Sequence, residues 1–255
     1  MRVLLVEDYS LLAGLVQREL QSVYGHTVEL ASDPLEAAGI LARQEFDVVV
    51  IDIFYDALLD GFEARRLART VTLTSAQLLM SGLSTVQRVA EASKRAGVVL
   101  WTAGDGPRRL HMLYAHEELH VRAYCSKTAH SGRTNNLNEA IRAARAGQSY
   151  VDPVLNPYLP TATTIPLRRT ILRDPARRAI WRAIALGYHT RDEIKDVTGY
   201  AKGTVGNLIS QIATEDLPLA VPGLRSGKSP LSELVTYASA RWAFFLDDAV
   251  RKAYP

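Results

Sequence analysis

One cysteine, Cys125, occurs in 255 residues. No disulfide can therefore close within the chain, and a reducing compartment such as the cytoplasm fits. No Cys/His cluster has zinc spacing. No apolar run approaches the roughly 20 residues that a membrane helix needs, so no membrane role is expected. The opening MRVLLVEDYS meets acid too early for a signal peptide.

What is present is ordinary in amount and uneven in placement. The chain is 47% hydrophobic and 22% charged, which suits a soluble globular protein with room for two modest domains. Residues 1–154 hold 16 Lys and Arg against 18 Asp and Glu, a net of −2. Residues 155–255 hold 14 against 9, a net of +5. An acidic first half joined to a basic second half suggests a regulator attached to a nucleic-acid binder.

The first half alternates strand and helix patterns. Val3–Val6 is a short apolar strand ended by Glu7 and Asp8. Leu11, Leu12, Leu15, Val16 and Leu20 recur at helical spacing. Thr27–Ala31 reads as a second strand, and Asp33-Pro34 opens a helix running to about Gln44. Val48–Ile51 is an unbroken β-branched run ended by Asp52, as expected of a strand buried on both faces. Val98–Trp101 ends in Thr102, and Val121–Cys125 ends in Ser126-Lys127. A β-α-β-α-β order implies parallel strands with helices on both faces. Ligands bind beyond the carboxyl ends of such strands. Three carboxylates gathered there, from Glu7, Asp8 and Asp52, would need a cation, and hard oxygen ligands suit Mg²⁺.

The second half is helical. Leu137–Ala146 reads as a helix stopped by Gly147. Residues 153–167 carry four prolines, Pro153, Pro157, Pro160 and Pro166, a semi-extended linker composition. Asp174-Pro175 opens a helix with Ile180, Ala183 and Ile184 on one face, ended at Gly187. Thr190 with Glu193 forms a capping box for a short helix around Ile194 and Val197. After a turn at Gly199, Lys202–Ile212 places Val205, Leu208, Ile209 and Ile212 on one side. Two short helices about a glycine turn match a helix-turn-helix, whose second helix enters the major groove. Leu231–Tyr254 reads as one further helix, either packed on the domain or forming a dimer contact.

These residues resemble the receiver domain of two-component response regulators over roughly 1–150, and the output domain of NarL/LuxR-type regulators over 174–216. The implied fold is α/β: a flavodoxin-like (βα)5 receiver with a five-stranded parallel sheet, followed by an all-α helix-turn-helix domain. The implied boundaries are a receiver at 1–150, a linker at 151–170 that includes part of the family-like GQSYVDP run, and a DNA-binding domain with an extra helix at 171–255. Asp52 would be the phosphoryl acceptor, 44 residues after Asp8. Mg²⁺ would be held by Asp8, Asp52 and the backbone carbonyl of Phe54, with Glu7 through water. Lys127 would pair with the phosphoryl oxygens. Thr102, followed by the small Ala103, would be the switching hydroxyl and Tyr124 the switch aromatic.

The resemblance also implies partners. A histidine kinase would supply the phosphoryl group, double-stranded DNA would be the target, and the active form would be a homodimer. Lys202, Thr204, Asn207, Ser210 and Gln211 would face bases, since Asn and Gln can pair bidentately with adenine. Arg168, Arg169, Arg173, Arg177 and Arg178 would hold phosphates. An enzyme of the Asp-nucleophile phosphatase type is not expected, because Ile53 and Phe54 follow Asp52 where an Asp-x-Asp is needed. The chain departs from the family in the proline-free loop IFYDALLDG, in a span from Gly61 to Val98 longer by roughly a helix, and in the extension at 218–255. The alternative is a DNA-binding regulator governed by a ligand or by dimerisation, without phosphorylation.

Overall fold

A computed structural model of the chain describes residues 1–55, 80–92, 96–128, 133–220 and 229–255. The described residues fall into two compact units, the first ending at Leu159 and the second beginning at Pro160.

The first unit is built on a parallel sheet. Its strands are β1 (Arg2–Val6), β2 (Thr27–Ala31), β3 (Val48–Ile51), β4 (Gly97–Thr102), β5 (Ala123–Ser126) and β6 (Tyr150–Val151). They lie in the order β2-β1-β3-β4-β5-β6, all parallel. The crossovers are α1 (Ser10–Ser22), α2 (Pro34–Leu41), α3 (Gly82–Ala92), α4 (Arg109–Glu117) and α5 (Arg133–Arg145). Asp33 caps α2 by accepting from the Leu35 and Glu36 amides, with Pro34 in the first turn. Alternate strand residues part to opposite faces. Val3, Leu5, Val48, Val50, Val99, Trp101 and Cys125 join Val16, Leu20, Leu137 and Ile141 of α1 and α5 in one core.

Three expectations need correction here. The sheet has six strands, not five. The sixth comes from residues expected to start the linker: the Tyr150 amide bonds Arg122 O at 3.0 Å and the Asp152 amide bonds Tyr124 O at 2.9 Å. A parallel edge leaves a row of backbone groups unsatisfied, and a short segment satisfies them. Residues 153–158 then form a 3₁₀ helix capped by Asp152, with Leu155 buried. Finally, the α1 stripe is displaced. Ala13, Val16 and Leu20 face the core, while Leu11 and Leu15 are 73% and 56% exposed.

The second unit is helical: α6 (Pro175–Ala185), α7 (Arg191–Thr198), α8 (Lys202–Gln211), α9 (Leu217–Ala220), α10 (Pro230–Ser239), α11 (Trp242–Phe245) and α12 (Asp248–Ala253). The Thr190–Glu193 capping box forms, and Gly199 ends α7 at φ +73°, a left-handed conformation that favours glycine. A π-helical stretch, Ile212–Asp216, joins α8 to α9, so the second helix of the motif runs on well beyond Ile212.

The extension is not one helix but three. Asp247 interrupts it by capping α12, accepting from the Ala249 and Val250 amides. Of these, α10 and α11 pack on α6. Phe245 stacks on Trp181 with centroids 5.0 Å apart at 13°, and Tyr237 lies 5.6 Å from the same ring. Of the two roles open from the pattern, domain packing is therefore the one these helices fill. Phe245→Ala should destabilise the second unit by about 3–5 kcal/mol. Thermal and urea unfolding would measure this, and a changed oligomeric state at unchanged stability would be the opposite result.

Candidate functional site

Strand register builds the site. Val6 pairs with Ile51, so the next residues, Glu7 and Asp52, emerge side by side at the carboxyl edge. The Asp52 amide bonds Val6 O at 3.0 Å, and the Glu7 amide bonds Ala31 O at 2.9 Å. Both side chains are nearly buried, each residue 4% exposed. Carboxylate oxygens of Glu7, Asp8 and Asp52 all lie within 4.8 Å of one another.

Lys127 arrives from β5. Thr102 pairs with Ser126, and the Lys127 amide bonds Thr102 O at 3.0 Å. Its Nζ then donates to Asp52 Oδ2 and to Glu7 Oε2, each at 2.5 Å, and sits 5.0 Å from the Trp101 ring centroid. Thr102 is buried, its Oγ1 3.4 Å from Ala103 O. Tyr124 is buried too, and donates from its hydroxyl to Val121 O at 3.1 Å. Its ring lies 6.3 Å from that of His116.

Burial pushes the Asp52 carboxyl above its ordinary range, while Lys127 and, less strongly, Arg108 pull it back. Glu7 is likewise raised by burial, opposed by Lys127 and reinforced by the neighbouring Asp52 charge. One ammonium thus faces two buried carboxylates and a third nearby. Three hard oxygen donors gathered in one place fit a small divalent cation. Glu7, Asp8 and Asp52 make up that cluster, and Phe54, whose carbonyl was expected as a further ligand, lies two residues beyond Asp52.

Two contributors were not legible beforehand. Gly82, at the start of α3, packs on the acceptor strand: a Cβ there would lie 2.1 Å from Asp52 O and 2.8 Å from Ile51 Cγ2. Its amide bonds Ile53 O at 3.0 Å, and Ser81 Oγ accepts from the Leu83 amide at 3.1 Å. A hydroxyl residue before an apolar-periodic run was the available signal. Most of the longer span from Gly61 to Val98 lies outside the described residues, and within it Leu83 and Val86 of α3 are buried. Tyr55 was also missed. Burial first, then the charges of Asp52, Glu7 and Asp8, push its phenol pKa well up.

The other candidate surface is α8. Val205, Ile209 and Ile212 face inward, while Lys202, Thr204, Asn207, Ser210 and Gln211 are exposed along one side. Lys202 pairs with Asp192 at 2.9 Å, and Gln211 accepts from Arg177 at 3.3 Å. Arg191, at the start of α7, approaches Gly206, where a Cβ would be 3.8 Å from its Nη1. Arg168 and Arg169 are exposed on a 3₁₀ turn.

The expected phosphate role of Arg177 and Arg178 does not fit their placement. They are 6% and 8% exposed. Arg177 bonds Asp216 at 2.6 Å and Glu215 at 2.8 Å. Arg178 donates to Leu172 O at 3.0 Å and Pro255 O at 2.9 Å. Arg173 pairs with Glu215 at 3.2 Å. The guanidiniums of Arg177 and Arg178 tie α6 to the π-helical stretch and to the last residues.

No protein-family model matches the chain, and no curated protein matches it. Solved structures do. A structure of two RcsB dimers bound to two parallel DNAs is 14% identical with a TM-score of 0.55, covering 94% of this chain and 98% of that one. A complex of the two-component response regulator RcsB with DNA is 14% identical at a TM-score of 0.54, covering 93% and 98%. RcsB of Salmonella typhimurium is 15% identical at 0.53, covering 92% and 98%. At such identities the likeness is one of fold, and it extends over both units.

Removing Lys127 would leave Glu7 and Asp52 buried without their cation. Lys127→Met should cost about 3 kcal/mol without divalent ions, and millimolar Mg²⁺ should restore more stability to the variant than to the wild type. The wild type also has a pH signature. Both carboxyls are raised above 3.8 and 4.5, so the folded state binds more protons than the unfolded one. Stability without metal should fall as pH rises from those ordinary values through the raised ones. Chemical denaturation at several pH values, with EDTA or Mg²⁺, measures both.

Proposed function

We propose that this chain is a DNA-binding transcriptional response regulator of a two-component phosphorelay, switched by phosphorylation of Asp52. The carrying observation is the meeting of Lys127 with Asp52 and Glu7 at 2.5 Å, from strands 75 and 120 residues apart in sequence. With Asp8 and Thr102 at the same edge, the set matches the chemistry of an acyl-phosphate site.

In this reading a histidine kinase presents a phosphohistidine. An Asp52 carboxylate oxygen attacks phosphorus in line, the P–O bond forms, and the P–N bond breaks. The electron pair leaves on the imidazole, which takes up a proton. A bound Mg²⁺ would supply charge neutralisation at the phosphoryl oxygens. Lys127, already on Asp52, shifts to a phosphoryl oxygen as a charge-assisted donor. Thr102 turns its hydroxyl toward the new anion, and Tyr124 on the paired strand follows the space it vacates. The change reaches α4 through His116, which meets the Tyr124 ring.

The output surface would be α8, laid in the major groove of double-stranded DNA with Lys202, Thr204, Asn207, Ser210 and Gln211 toward bases. Active chains would act as homodimers, since DNA half-sites mirror two-fold symmetry. The protein would work in the cytoplasm as a regulator rather than an enzyme.

A small phosphodonor with Mg²⁺ should label the wild type and not Asp52→Asn. Equal labelling of both would reject the acceptor. Asn207→Ala should weaken binding to a selected duplex by about 1–3 kcal/mol while leaving binding to random duplex unchanged. A gel shift reads both, and a uniform loss on every duplex would reject Asn207 as a base reader.

A further inference from the structure

We infer that Arg108 is a second phosphoryl-binding cation of this site, one that joins the charge on Asp52 to the start of α4. The inference rests on the acceptor role proposed for Asp52.

Arg108 stands at the N-cap of α4, six residues past Thr102. Its guanidinium lies over the Phe54 ring, 4.6 Å from the centroid. Phe54 follows Asp52 by two residues, and its ring meets His111 of α4 edge-on at 4.8 Å. Phe54 is thus held between Arg108 and His111, so the segment leaving the acceptor is fastened to the first turn of α4. Asp105 holds the other side: its carboxylate accepts from the Arg108 amide at 3.0 Å and pairs with Arg108 Nη1.

Through Phe54, Arg108 stands within electrostatic reach of the Asp52 carboxylate. A phosphoryl group on Asp52 would bring nearly two negative charges to one end of this arrangement. Asp105 offers one, on a carboxylate partly open to water. A planar guanidinium suits phosphate oxygens better than a lysine does. The exchange of Asp105 for the phosphoryl group would loosen the 103–108 turn while Phe54 keeps Arg108 close. Lys127 would hold the anion from β5 and Arg108 from the α4 side.

A purely structural Arg108, stacked on Phe54 and capping α4, is the competing account, and metal binding separates the two. Beryllofluoride with Mg²⁺ serves as the phosphoryl mimic on the full chain, followed by tryptophan fluorescence, since Trp101 lies under Lys127. Mg²⁺ alone is titrated in parallel. Arg108→Gln should weaken beryllofluoride binding about tenfold, the scale of one charge-assisted hydrogen bond. It should leave Mg²⁺ binding unchanged or tighter, because a cation has been removed from beside a cation site. Arg108→Lys should recover part of the loss. Unchanged beryllofluoride affinity, or parallel loss of both ligands, would overturn the inference. A wild type that binds no beryllofluoride at Asp52, judged against Asp52→Asn, would overturn the acceptor role itself, a result distinct from a failure confined to Arg108.

Discussion

A single ammonium shared between two buried carboxylates sets the terms for the first unit. Taking Glu7 and Asp52 out of water costs several kcal/mol each unless the charge is met. Lys127 meets it only in part, since Asp8 adds to the same patch. The fold tolerates this shortfall because β1, β3, β4 and β5 are among the most buried elements of the molecule, with side chains such as Val3, Val49, Val99 and Cys125 at or near zero exposure. A rigid apolar sheet keeps the three acids close when repulsion would spread them. The result is a site under standing electrostatic demand, which is what allows a small change of charge to matter.

That demand is passed outward by a few contacts, not by the sheet as a whole. Gly82 is one of them. Because no Cβ fits against Asp52 O, α3 can begin against the strand end and help fix where the acceptor carbonyl points. Lys127 is another, since its backbone bonds Thr102 while its side chain holds Asp52, which ties the ends of β4 and β5 to the end of β3. The ring of Tyr124 and the clasp of Phe54 by Arg108 and His111 connect the same edge to α4. In the proposed switch, a charge added at Asp52 would act through these contacts.

Much of this was readable from the residues. Apolar runs ended by Glu7-Asp8, Asp52, Thr102 and Lys127 announced parallel strands sharing one chemical edge, because strand burial and strand ends impose strong local patterns. The caps at Asp33, Asp174 and Thr190 were equally plain, being local by nature. Long-range geometry was not. Nothing local marks Gly82 as the residue that meets Asp52, since the contact spans 30 positions. Tyr150 and Val151, at the expected boundary between receiver and linker, were claimed by a sheet edge that no local pattern marked. An amphipathic pattern from Leu231 to Tyr254 fits one helix as well as three, and the breaks at Ala240-Arg241 and at the Asp247 cap tell them apart.

The arginines show the same limit with a functional consequence. A cluster of basic residues from Arg168 to Arg178 reads as a phosphate-binding face, yet Arg177 and Arg178 point inward to acids and carbonyls that lie 35 or more positions away, apart from the local contacts with Asp174 and Leu172. On α7 and α8, Lys195 and Lys202 are paired with Asp196 and Asp192. For a DNA reader of the kind proposed, the exposed cations of this unit among the described residues that carry no carboxylate partner in the structure are chiefly Arg168, Arg169 and Arg191. Since each phosphate neutralised contributes to affinity through released counterions, a single copy would hold DNA weakly, and two copies on paired half-sites would about double the phosphate contacts. In the proposed reading, basic residues committed to the interior would make binding lean on a second copy.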